Sequence, residues 1–358
     1  MSNASAPSVV LAAGTCTGAG TTVALIEACR TLSRQLADGE ISAAEVHIPE
    51  NAVEARRAAD GCTVRTLTRA QAVVSELFDR TQADVYIGFA DRLPFNRRAN
   101  STRVMVVQNP HLYESTDAPS LGSVGRKVRT WWASRSAASA DLIVCATNAS
   151  SEAVERAIGG LVAQRIDVRP IRPATPMPRT NQSPELSRFV LLGDLYSYKR
   201  FDVALDGIVE WARTREDPRD LTVVHCGRAQ DERAAVDFAA AVGRARSAGI
   251  EVTERGGVSH TAAMEELLAS DLLVSASEVE TQGLTILEAM AVGVPVVARA
   301  IGPVRDVGGD GIQAVPIEGG ASDVASAIAQ IEGQDTRTEL VRRGLVRAEM
   351  DAGWDLLP

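Results

Sequence analysis

Residues 278–300 read EVETQGLTILEAMAVGVPVVARA, and the placement of two carboxylates within them decides how the chain is read. Glu280 and Glu288 are separated by seven residues, with Gly283 and a mostly apolar run between them. The preceding DLLVSAS has the composition of a buried strand, and EVETQ is the loop that leaves it. From Gly283 the run LTILEAMAVG is helical in pattern, and Gly293 and Pro295 end it. Leu284, Leu287 and Ala291 fall on the face expected to pack on the sheet, with Ile286 and Met290 as a neighbouring stripe. Glu280 therefore belongs to a loop at the sheet's carboxyl edge, and Glu288 lies more than a turn into the helix.

The same strand–loop–helix unit recurs in both directions. In the first half, SVVLAAG (8–14), AEVHIP, TVRTL, DVYIGFA, TRVMVVQN and DLIVCAT read as strands. A Gly/Thr loop and the helix TTVALIEACRTLSRQLA follow the first, and a helix from SSEAVERAI follows the last. RPATPMPRTNQSPELS (172–187), with four prolines and no periodicity, reads as a linker. The pattern restarts with the strand RFVLLGD and the helix KRFDVALDGIVEWART, then LTVVHCG, RAAVDFAAAVGRARSAG, IEVTERG and HTAAMEELLAS. After residue 292 come the strand PVVARA and helices over 321–332 and 337–350.

Units of this length imply an α/β protein of two doubly wound, Rossmann-like parallel sheets, residues 1–180 and 181–358. A length of 358 residues agrees with two cores better than with one. Ligands of such sheets sit outside the carboxyl ends of the strands, so two facing domains would enclose a central cleft.

Composition narrows the function classes. Apolar residues make up 45% and charged residues 23%, as in soluble globular chains, and no apolar run reaches the length of a membrane span. MSNASAPS reads as a disordered leader without the features of a signal segment. The cysteines (16, 29, 62, 145, 226) are odd in number and never spaced as CxxC, which points to a reducing, cytoplasmic compartment without zinc or disulfides. Residues 1–180 hold 20 basic and 17 acidic side chains, and residues 181–358 hold 17 and 29. The net charge of −9 argues against nucleic-acid partners but leaves room for a small anion in a local pocket.

At the start of the 283–292 helix, the N–H groups of Gly283, Leu284 and Thr285 and the helix dipole suit a phosphate, by roughly 0.3–2 kcal/mol. Gly283 has no side chain to obstruct its approach. A nucleotide sugar fits this layout, with the sugar toward Glu280, the diphosphate at the helix start and the ribose toward Glu288. Carboxylates suit both ends because they accept paired hydroxyl hydrogen bonds. Spacing alone favours the plainer reading that acids are common near helix N-termini.

The run from ASDLLVSASEVETQGLTILEAMAVGVPVVARA through IGPVRDVGGDGIQAV resembles the E-x7-E region of the family-four retaining glycosyltransferases with GT-B fold. Upstream, FVLLGDLYSYKRFDVALDGI resembles that family's strand–loop–Lys–helix element, and VVHCGRAQDE and IEVTERGGVSHTAAMEELLASD follow in order. The resemblance is specific over roughly 188–333. It implies that Glu280 holds donor-sugar hydroxyls, Glu288 the ribose, and the backbone at 283–285 the diphosphate. It further implies that Lys199 neutralises the leaving diphosphate and that the loop at Val258 frames the base. Two departures stand out. Asp194 occupies the place of an arginine, so its carboxylate is expected to point away while Arg200 supplies the second charge, and Gln282 replaces an aromatic residue.

The first half would take the acceptor. GTCTGAG places Gly18 and Gly20 in the loop after the first strand, and it is not a GxGxxG dinucleotide loop. VMVVQNPHLYE offers Asn109 or His111 in the role of the family histidine that contacts the transferred sugar, while a surface-loop reading of His111 stays open. The basic segment SVGRKVRTWWASRSA, with Trp131 and Trp132, is compatible with a peripheral contact on an anionic inner membrane face, or with one tryptophan in the core. No DxD occurs, and the resemblance implies a hexosyltransferase, mannosyltransferase-like in its variant motif, that acts without metal or other cofactor on a glycan, lipid-linked or small-molecule hydroxyl. Alternatives are a GT-B relative with epimerase or phosphorylase chemistry, or a non-catalytic nucleotide-sugar-binding homologue.

Overall fold

The protein is described from a computed structural model, covering residues 6–16, 19–78, 80–89, 91–109, 112–113, 123–159, 165–171, 178–179, 183–215, 220–350 and 357. The chain divides into two compact units, Met1–Pro173 with Gly353–Pro358, and Ala174–Ala352.

In the first unit, β1 (Ser8–Ala12), β2 (Ala43–Pro49), β3 (Thr63–Leu67), β4 (Val85–Gly88), β5 (Thr102–Val106), β6 (Leu142–Cys145) and β7 (Ile166–Val168) form one sheet. Its order is β3-β2-β1-β4-β5-β6-β7, with every pairing parallel. The helices are α1 (Ala19–Ala37), α2 (Val53–Ala58), α3 (Arg69–Leu77), α4 (Ser123–Ser139) and α5 (Asn148–Ile158). Thr68 starts α3 with a reciprocal cap, its hydroxyl accepting from Gln71 N while the Gln71 amide accepts from Thr68 N.

The second unit repeats the design. β8 (Arg188–Leu192), β9 (Thr222–Cys226), β10 (Glu251–Gly256), β11 (Leu272–Ser275), β12 (Val296–Arg299) and β13 (Gln313–Val315) are ordered β10-β9-β8-β11-β12-β13, again all parallel. Around this sheet lie α6 (Phe201–Ala212), α7 (Glu232–Ser247), α8 (His260–Leu268), α9 (Leu284–Ala291), α10 (Gly302–Gly308), α11 (Ala321–Gln330) and α12 (Gln334–Met350). Both sheets thus have the Rossmann-like doubly wound topology expected from the sequence, with the strand order reversing beside the first strand.

Alternation within β8 shows why no polar side is needed. Phe189 and Leu191 enter a core with Trp211, Phe238 and Ile328, while Val190 and Leu192 enter another with Met264, Ile286 and Met290. Edge strands β7 and β13, three residues each, were not read from the sequence, since so short a run carries no periodicity. The short helices α2 and α10, and α3, escaped for the same reason or for lack of a wide apolar face.

The expected packing face of α9 needs correction. Ile286, Leu287, Ala289 and Met290 are buried, whereas Leu284 and Ala291 are only half-buried. Besides the sheet, α9 packs against α10 and α12, so its buried arc is wider and rotated toward the Ile286–Met290 stripe.

Phe189 is fully buried, edge-on to Trp211 at 5.4 Å between centroids. Phe189→Ala is expected to destabilise the second unit by about 3–5 kcal/mol, read from denaturant unfolding, because the cavity cannot collapse between sheet and helix.

Candidate functional site

The loop after β8 is shaped by close backbone contact. A Cβ on Gly227 would stand 1.9 Å from the Gly193 carbonyl oxygen, so only glycine lets the loops after β8 and β9 meet there. His225 Nε2 lies 3.0 Å from the same oxygen, with burial holding the ring below its ordinary pKa and thus neutral. Asp194 turns toward the β9–α7 loop: its carboxylate accepts from Arg228 N at 2.8 Å and Gln230 Nε2 at 3.0 Å. Its charge is thereby absorbed by local donors.

A 3-10 turn, Ser197–Lys199, follows, and Arg200 adopts left-handed φ,ψ of 48°, 43° to enter α6. Ser197 donates from N (3.0 Å) and Oγ to Asp231, the residue that also caps α7 by accepting from Ala234 N. Tyr196 and Tyr198 stack at 5.3 Å. These anchors leave Lys199 at the end of a braced turn.

The 276–283 loop approaches from β11. Buried Arg299 donates from Nε to Ala276 O at 2.8 Å and from Nη1 to Ile317 O, and Ser277 Oγ donates to Val279 O at 2.7 Å. Glu278 N donates to Tyr198 O at 2.7 Å, tying this loop to the Lys199 turn. As a result Lys199 Nζ and Glu280 Oε1 stand 2.6 Å apart, both largely buried. Arg200 Nη1 meets Glu278 Oε1 at 2.6 Å and also pairs with Asp202 at 3.2 Å, which together raise its pKa, with the Asp202 hydrogen bond foremost.

Gly283 caps α9 in the left-handed region at φ 85°, ψ 52°, where an L side chain costs about 1 kcal/mol. The ladder of α9 opens with Ile286 N and Leu287 N bonding to Gly283 O, so the N–H groups of Gly283, Leu284 and Thr285 lie outside it. One turn on, Glu288 is 3% exposed and its Oε1 lies 2.6 Å from His260 Nε2. His260 begins α8 just after the N-cap Ser259, so the half-exposed Val258 loop is tethered to Glu288. Gln282, beside the glycine, is buried.

Lys199, Arg200, Val258, Glu280, Gly283, Leu284, Thr285 and Glu288 thus all belong to the carboxyl edge of the second sheet. Reading the sequence missed His260 and Glu278, whose roles depend on loops distant in sequence. One signal was available for Lys199: the chain contains only two lysines among 37 basic residues, and one of them is here.

In the first unit, His111 and Gly18 lie outside the described residues, and Gly20 falls within the first turn of α1, not in the preceding loop. Asn109 is exposed after β5 and donates from N (3.0 Å) and Nδ2 (2.8 Å) to Asp91. Asp91, fully buried at φ 58°, also accepts from Gln108 N. Beside it Glu76 takes Thr15 N and Oγ1 on one oxygen and Arg92 Nη1 on the other at 3.1 Å. Burial outweighs these donors and pushes the Asp91 carboxyl up to about 6 from an ordinary 3.8.

A carboxyl whose folded pKa is raised binds its proton more tightly in the native state. Its contribution is therefore complete below about pH 4 and lost as pH rises through about 6. The stability difference between the parent and Asp91→Asn is expected to move against the parent across that window, by on the order of 2–3 kcal/mol, in urea titrations at several pH values.

Residues 187–333 match the family described as Glycosyl transferases group 1. D-inositol 3-phosphate glycosyltransferases of Thermomonospora curvata and Geodermatophilus obscurus are 36% and 38% identical over 88 and 91 residues, 24% and 25% of this chain. The matched part spans 20% of the length of each of these relatives. Among solved structures, Anabaena HepE in complex with UDP-glucose superposes with a TM-score of 0.73 at 15% identity, over 96% of this chain and 95% of that one. Sucrose-phosphate synthase from Thermosynechococcus elongatus gives 0.68 at 13% identity, over 96% and 94%. These likenesses show that the chain has the GT-B fold.

Proposed function

We propose that this protein is a retaining glycosyltransferase that moves a sugar from a nucleoside diphosphate to a hydroxyl of a glycan, lipid-linked or small-molecule acceptor. The observation that carries the reading is the Lys199–Glu280 pair, 2.6 Å apart on a chain that otherwise uses arginine almost throughout. A compact ammonium held by a carboxylate beside helix N–H groups suits a diphosphate that arrives with a sugar attached. The family match over 187–333, and relatives and structural neighbours whose names specify sugar transfer or a UDP-sugar, support the same reading.

In this reading the diphosphate lies at Gly283, Leu284 and Thr285, where it draws Lys199 off Glu280. The released Glu280 carboxylate accepts the hydroxyls of the donor sugar. Glu288, held by His260, accepts the ribose hydroxyls, and the Val258 backbone borders the base. Arg200 adds a second positive charge, tempered by Glu278 and Asp202.

The bond between the anomeric carbon and the diphosphate oxygen breaks as the acceptor oxygen bonds to the same face of that carbon. The acceptor proton passes to the leaving diphosphate. Charge growing on that leaving group is met by Lys199 and the α9 N-terminus, a preorganised electrostatic site. No metal ion or protein nucleophile is assigned a role. Asn109 and His111, with the loop containing Gly18 and Gly20, are assigned to the acceptor side, and the cytoplasm is the assigned compartment.

A thermal-shift screen of GDP-, UDP-, ADP- and TDP-sugars is expected to raise the melting temperature with one base, because binding to the native state stabilises by mass action. With that donor, slow release of nucleoside diphosphate should fall about 100–1000-fold in Lys199→Ala and collapse in Glu280→Ala. Lys199→Arg should restore little of it, since a planar fork does not replace a compact ammonium. Tight nucleotide binding without turnover on any acceptor would instead favour a non-catalytic homologue.

A further inference from the structure

Nine large apolar side chains are exposed among the described residues, and four of them belong to α3 and α4 or their ends. Val74 and Phe78 are each 49% exposed, Val128 is 55% and Trp131 is 59%. Phe95 joins the two pairs. Its ring is edge-on to Phe78 at 6.4 Å, tilted against Trp131 at 6.1 Å and stacked on buried Trp132 at 5.6 Å. Backbone and side-chain bonds hold this junction rigid: Phe95 N donates to Leu77 O at 2.9 Å, and Trp132 Nε1 donates to Leu93 O at 3.2 Å. The result is one aromatic surface across two helices, larger than scattered exposed residues would make.

Among the described residues the charge bordering it is mainly basic. Among the side chains described in α4 the charged ones are Lys127, Arg129 and Arg135, with no acid. Two described acids of the neighbouring elements, Glu76 and Asp141, are paired with Arg92 and Arg97. Arg129 is held below its ordinary pKa by burial and then by the charges of Arg92 and Arg69, as expected of guanidinium groups crowded without carboxylates.

We infer that this face of the first unit docks on a lipid bilayer rich in anionic headgroups, with Phe78 and Trp131 entering the interface and the α4 cations meeting lipid phosphates. An aromatic centre with a cationic border is what such an interface selects, and no helix among the described residues is long and apolar enough to cross instead. A second copy is a poorer partner, because a two-fold contact would set the α4 cations of both copies against each other. Nucleic acid is poorer still, given a chain of net charge −9 and aliphatic Val74 and Val128 at the surface. The inference does not depend on the transferase reading.

Sedimentation with vesicles of phosphatidylcholine alone, and of phosphatidylcholine mixed with phosphatidylglycerol, tests it on the full chain. Binding to the mixed vesicles only, weakening as salt rises, is expected. Trp131→Ser and Phe78→Ser should each lower the partition coefficient about ten-fold, with Trp131→Phe close to the parent. Lys127→Glu should lower it roughly five-fold or more. If Trp131→Ser melts early, Val128→Ser serves as the second apolar variant. The inference is overturned by absence of binding to both vesicles, by binding that ignores these substitutions, or by a concentration-dependent dimer that Trp131→Ser abolishes.

Discussion

Parallel pairing is the constraint on which the rest of this protein depends. Every strand pairing in both sheets is parallel, so each chain segment must return across a face before the next strand can begin. Those returns cover both faces with helices, which is why β8 buries each of Phe189, Val190, Leu191 and Leu192. They also deliver every strand-to-helix loop to one edge. The Lys199 turn, the Val258 loop and the 276–283 loop share that edge because of topology, before any attraction between their side chains operates.

Attraction then sets the details. Glu278 N on Tyr198 O fastens two loops that lie 80 residues apart in sequence, and the Lys199–Glu280 and Arg200–Glu278 pairs form across that seam. Lys199 and Arg200 stand against Glu280, Glu278 and Asp202, so both cations already have carboxylate partners as the seam stands. An anion entering at the α9 N-terminus exchanges one partner of Lys199 for another and does not have to create a charged site from nothing. The buried Glu288–His260 pair is organised differently. A carboxylate this enclosed needs a partner, and a histidine at the head of α8 supplies it while remaining partly in contact with solvent.

The first unit places its own buried polar groups at the corresponding edge. Asp91 and Glu76 gather the N–H groups of Thr15, Gln108 and Asn109, so three loops are fastened by carboxylates in place of apolar packing. Burial raises the Asp91 pKa in spite of these donors, which makes the stability of this unit pH-dependent. On the outside of the same unit, exposed aromatics collect around Phe95, with Arg135 over its ring.

Much of this was legible in the residues. Mostly apolar runs located central strands such as β1, β5, β6 and β8, because a strand buried on both faces must be apolar. The largely exposed β3 (TVRTL) and β10 (EVTERG) were read instead from β-branched residues and the alternation of elements. The E…G…E spacing placed one acid in a loop and one in a helix opened by Gly283, while the left-handed conformation of that glycine came only from the structure. Asp194 turns away as expected, since a carboxylate follows its nearest N–H donors. What only the tertiary structure decided was pairing: that Lys199 meets Glu280, that Glu288 meets His260, and that α9 is wrapped by α10 and α12 and so buries Ile286 and Met290 more deeply than Leu284. Local sequence carries the period of a helix and the conformational freedom of a glycine. Contacts between loops are set by how sheets twist and helices pack, and no residue reports that from its own neighbours.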